Sequence, residues 1–126
     1  MNSTWIVADL EQALQQLEEA LATPGDIDLI KAGRIQYFEF CFELAWKSIK
    51  LAVRDAGLED CVSPKGCLKQ AFALGWISDD TAWLEMLEAR NQMSHTYDAK
   101  RALEIHAKLP RFYQQLKLLL NVLKGL

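Results

Sequence analysis

The chain has 126 residues, of which 51% are hydrophobic and 25% charged, and its net charge is −3. This composition excludes a disordered or low-complexity polymer and fits one domain, residues 1–126, able to bury a core. No apolar run is long enough to span a bilayer, so no membrane association is expected.

The N-terminal stretch Met1-Asn2-Ser3-Thr4-Trp5 lacks the basic and apolar regions of a signal peptide, and a cytoplasmic protein is expected. Cys41, Cys61 and Cys67 are accordingly read as free thiols, without the paired spacing of a zinc site. Neither metal nor cofactor is expected. Six glycines and three prolines are too few for a many-turned β fold.

Hydrophobic periodicity predicts five helices. The first covers Ser3 to Leu21, with Ile6, Leu10, Leu14 and Leu17 on one face and Ser3 or Asn2 as cap. Thr23-Pro24-Gly25-Asp26 breaks it. The second spans Ile27 to Ala56 and closes at Gly57. Phe38, Phe42, Ala45, Ile49 and Ala52 form its main face. Tyr37, Phe40, Leu44, Trp46 and Leu51 lie off that face, so this helix is either central or covered by a second subunit.

Ser63-Pro64 opens a third helix that stops at Gly75. Ser78-Asp79-Asp80 opens a fourth, which ends between Arg90 and Tyr97. Asp98 caps the fifth, which Pro110 should kink or restart. Short connections imply an all-α, up-and-down bundle. Trp46, Trp76 and Trp83 read as core rather than as ligand-stacking groups.

Charge is unevenly spread. Residues 1–88 carry 15 acidic and 7 basic side chains, and residues 89–126 carry 2 acidic and 7 basic. The acidic total argues against a non-specific nucleic-acid coat, while the basic C-terminal third leaves room for a phosphate site.

Within that third, Arg90-Asn91-Gln92-Met93-Ser94-His95-Thr96-Tyr97 concentrates polar and ionisable groups. Arginine offers a planar donor fork for phosphate, and histidine exchanges a proton near neutral pH. Together with Asn91 they suit attack of a ribose 2′-hydroxyl on the adjacent phosphodiester, a reaction that needs no metal. Arg90 and His95 are five residues apart, however, and on one unbroken helix they point about 140° away from each other. Either the helix ends before His95, or a dimer pairs Arg90 of one chain with His95 of the other. The plainer alternative is a polar helix end with Arg90 paired to Glu85 or Glu88 and His95 capping. His106 reads as a solvated residue of an amphipathic helix.

Arg90-Asn91-x3-His95-x-Tyr97 resembles the Arg-x4-His-x-Tyr motif of HEPN-domain proteins, in particular the HepT-like toxins. Three ordered blocks, Phe38 to Lys47, then Ser63 to Lys65 with Ala71 to Ile77, then Trp83 to Leu87 running into Arg90 to Asp98, resemble the sister group of nucleotidyltransferase substrate-binding proteins. The resemblance covers roughly residues 5 to 123. It implies a helical-bundle homodimer encoded beside a minimal nucleotidyltransferase partner.

Two functions follow from it. In the first, the resemblance implies the ribonuclease toxin of a toxin-antitoxin pair, which would act on RNA without a metal through Arg90, Asn91 and His95 across the dimer and would be silenced when its partner adds AMP to Tyr97. Alternatively it is a non-catalytic subunit that presents substrate to the nucleotidyltransferase.

Overall fold

The computed structural model describes residues 3–93 and 98–126. They form five helices: α1 (Thr4–Ala22), α2 (Asp28–Asp55), α3 (Pro64–Ala73), α4 (Asp80–Met93) and α5 (Ala99–Lys124). No strand occurs among the described residues, and no helix among them is long and apolar enough to cross a membrane.

The helix ends follow local chemistry. The Ser63 hydroxyl accepts from the Gly66 amide at 3.1 Å, with Pro64 in the first turn where its missing N–H costs nothing. The Asp79 carboxylate accepts from the Ala82 amide, and that of Asp98 from the amides of Lys100 and Arg101. Gly57 and Gly75 take φ of +74° and +77°, which only glycine adopts without strain. In both turns the next amide returns to a carbonyl of the preceding helix, Leu58 to Val53 and Trp76 to Ala71.

Two local expectations are corrected. Ser3 precedes α1, but its hydroxyl makes no cap, because its φ of −83° and ψ of −11° are helical rather than extended. Its backbone amide instead donates to Asp55 at the far end of α2, at 2.9 Å. α5 runs through Pro110 as one element and does not restart. Pro110 is exposed, so the lost backbone bond lies on the wet side of the helix.

α2 touches all four other helices, which explains its broad apolar circumference. It is antiparallel to α1: Arg34 meets Ala20 near one end, and Asp55 meets Ser3 at the other. It is parallel to α5, with Phe38 stacked on Phe112 at 5.1 Å between centroids. Leu10, Leu14 and Leu17 of α1 and Trp83 and Met86 of α4 complete the core. Truncating Phe38 or Trp83 to alanine would cost about 3–5 kcal/mol, given their near-complete burial. Trp46 and Trp76 pack against this core from partly buried positions.

Cys61 and Cys67 are not free thiols: they form a disulfide, their Cα atoms 5.1 Å apart. The chain turns at Ser63-Pro64 between them, a proximity that residue spacing did not reveal. Cys41 is free and buried, and burial pushes its thiol up to about 12. It is therefore no nucleophile at neutral pH.

Candidate active site at the end of α4

α4 carries Arg90 on its last turns and faces α2 there. Arg90 Nε donates to Glu43 Oε1 at 2.7 Å, and Nη1 donates to Asn91 Oδ1 at 3.2 Å. The other Glu43 oxygen accepts from the Trp46 indole N–H at 3.0 Å, and Lys47 stands 4.0 Å from it. Glu43 is thus fixed from its own helix while it fixes Arg90. The arrangement remains accessible, since the Arg90 side chain is 31% exposed.

Pairing of Arg90 with Glu85 or Glu88 does not occur. These residues lie five and two positions before Arg90, and neither spacing shares a helix face with it. Glu85 instead binds Arg111 at 3.2 Å and Lys108 at 3.4 Å, both from α5. Glu88 accepts from Gln92, one turn on. His95 and Tyr97 lie outside the described residues.

A cavity of about 240 Å³ lies between α2 and the start of α5, with Met93 of α4, three residues after Arg90, at its edge. Glu39 lines it, one turn before Glu43 on α2. Burial, and then the like charge of Glu43, holds the Glu39 carboxyl above its ordinary range.

Away from this end, His106 is part-exposed but also has a partner. Its Nε2 lies 3.2 Å from Arg34 Nη1, and its pKa is lowered by burial, then by Arg34 and Lys31. Arg34 is 8% exposed and donates to the carbonyls of Ala20 and Thr23, closing the C-terminus of α1.

Sequence reasoning missed Glu43, Glu39 and Arg34. The first two carried a signal. They are the acidic residues inside an otherwise apolar run from Phe38 to Trp46, four apart, and an acid kept there needs a partner. Among the described residues, no group of three or more His, Cys, Asp and Glu side chains could hold a metal.

The five-helix bundle is the fold of the nucleotidyltransferase substrate-binding helical proteins. Residues 7–125 match the family described as nucleotidyltransferase substrate binding protein like, and the chain belongs to that family. A relative in Haemophilus influenzae, described as a probable ribonuclease HepT, is 35% identical over 101 residues, which span 77% of this chain and 69% of the relative.

Two solved structures share the fold. One, from Thermus thermophilus, superposes with a TM-score of 0.83 at 28% identity, covering 90% of this chain and 98% of its own. The other, from Haemophilus influenzae, is described as having the fold of a substrate binding domain of a nucleotidyltransferase. It superposes with a TM-score of 0.81 at 29% identity, covering 94% of this chain and 98% of its own.

Proposed function

We propose that the protein is a HepT-like ribonuclease whose active site joins Arg90, Asn91 and His95. The observation that carries this reading is the grip of Glu43 on Arg90 Nε at 2.7 Å in a partly exposed setting. Glu43 and Asn91 engage two of the five guanidinium donors and set the plane of the group. The other donors suit the non-bridging oxygens of a phosphodiester.

His95 takes the proton of the ribose 2′-hydroxyl as its oxygen attacks phosphorus. The bond to the 5′-oxygen breaks, and that oxygen receives a proton from His95. The products are a 2′,3′-cyclic phosphate and a free 5′-hydroxyl. Arg90 neutralises charge that builds on phosphorus in the transition state, so the step requires no metal.

A second copy of the chain would complete the cleft. A nucleotidyltransferase partner would control it by transferring AMP from ATP to the Tyr97 hydroxyl, releasing pyrophosphate and placing a bulky anion beside the motif.

The test is cleavage of RNA by purified protein in EDTA. Wild type should cleave, and His95→Ala and Arg90→Ala should each be inactive while retaining the helical circular-dichroism spectrum. Full activity in either variant sinks the assignment.

The second reading, a non-catalytic subunit presenting substrate to a nucleotidyltransferase, is favoured by the family description and by that of the Haemophilus influenzae structure. It predicts no RNA cleavage by wild type, together with a stable complex that raises the activity of the nucleotidyltransferase on a small substrate.

A further inference from the structure

The cavity between α2 and α5 adjoins Arg90 without containing it. Ile35 and Ala32 of α2 and Ala102 of α5 give it an apolar lining. Lys31 and Glu39 flank Ile35 on the same face of α2, four residues to either side. The cavity meets α4 at Met93, three residues beyond Arg90, and Glu39 lies four residues before the Glu43 that grips Arg90. At about 1.5 Å per residue along α2, its near edge at Glu39 therefore lies ~6 Å, and its middle at Ile35 ~12 Å, from the Glu43 that grips the guanidinium. An arginine-to-phosphate contact followed by a phosphate-to-base step covers that distance.

Two features call for an occupant. The Glu39 carboxylate is half-buried, and no side chain among the described residues donates a hydrogen bond to it. A carboxylate that has lost part of its hydration without gaining a donor is bound more favourably by a ligand that supplies one. The volume is also sufficient. An apolar cavity of about 150 Å³ already takes benzene, and this one, at about 240 Å³, has room for a bicyclic ring.

We propose that this cavity is a nucleobase subsite selective for guanine, which seats the base beside the phosphate held by Arg90. The inference rests on the ribonuclease reading. Guanine presents N1–H and N2–H side by side, a pair that one carboxylate accepts together. Its O6 and N7 are acceptors suited to the Lys31 ammonium. Adenine and cytosine offer an amino group beside a ring acceptor that repels Glu39, and in uracil the ring N–H is flanked by two carbonyls. Ile35 and Ala102 contact the ring faces.

The experiment measures binding of the four nucleoside 3′-monophosphates to the full-length protein by titration calorimetry. In parallel, it measures cleavage of RNAs that vary the base on the 5′ side of the scissile bond. Guanosine 3′-monophosphate should bind about tenfold more tightly than the uridine compound. Ala102→Phe should fill the cavity and lower its affinity at least tenfold. Ala99→Phe, which projects from an exposed position at the same rim, is read alongside in case the first variant fails to fold.

Glu39→Gln should abolish the guanine preference with little loss for the other bases, whereas Arg90→Ala should weaken all four equally. Equal binding of the four nucleotides, no binding at millimolar concentration, or binding unchanged by the filling variants overturns the subsite. RNA cleavage without base preference removes the subsite and leaves the ribonuclease reading standing. Guanine-selective binding without any RNA cleavage removes the ribonuclease reading and leaves a nucleotide site.

Discussion

Arg34 and Arg90 are both held by partners from other parts of the chain, and the two settings serve opposite ends. Arg34 is buried at the corner of α1, α2 and α5, where its donors go to two backbone carbonyls and a histidine. It closes a helix end and holds three elements in register. Arg90 is held by one carboxylate and the neighbouring amide and stays partly exposed. The difference teaches that a partnered arginine is read by its exposure and by what it is bonded to. A buried arginine on backbone carbonyls fits a scaffold, and a partly exposed arginine on a carboxylate keeps donors for another group, as the proposed function requires.

Exchanging the two roles by mutation is the sharpest way to break the comparison. Arg90→Ala should lower RNA cleavage by about 100-fold or more, the size seen when a transition-state donor is removed. Its cost in stability should stay within about 1 kcal/mol, as for a partly exposed ion pair. Arg34→Ala should do the reverse, costing about 1–3 kcal/mol in urea unfolding because two part-buried carbonyls lose their donor and the buried side chain loses its packing. Its folded fraction should still cleave. If Arg34→Ala melts like wild type, the scaffold role is wrong.

Glu43→Gln sharpens the functional side. It removes the charge and keeps only one of the two oxygens that accept from Arg90 and Trp46, the other becoming an NH2 donor, so cleavage should fall about tenfold as the guanidinium loses its anchor. A variant as active as wild type would show that Glu43 positions nothing.

The smallest effect concerns pH. Arg34 is an obligate donor, so the His106 Nε2 facing it must be unprotonated. The pKa of His106 is lowered in the folded chain, so the unfolded chain takes up the proton first. Stability is therefore lost as pH falls below the ordinary histidine value of about 6.5 toward the lowered one, and is regained above it. His106→Gln, which keeps an acceptor, should flatten unfolding free energy over that window. An unchanged slope in the variant would place the titrating group elsewhere.

The helices were legible in the sequence because their signals are local. Apolar residues at steps of three and four mark the buried faces, and Ser63-Pro64, Asp98, Gly57 and Gly75 mark ends through bonds that span only a few residues. The polar cluster beginning at Arg90 was equally visible, as was the mismatch of its spacing with one helix face. What the sequence could not supply were partners set by packing. Arg90 meets Glu43 across 47 positions, Arg34 meets His106 across 72, and the Cys61–Cys67 bond depends on how the chain turns before α3. Such pairings arise when α2 is buried against four neighbours at once. The periodicity of one helix says which face turns inward and nothing about which residue stands opposite. The arginine at the end of α4 was thus apparent from the sequence alone, and only the tertiary structure decided that a glutamate of α2 holds it beside a cavity.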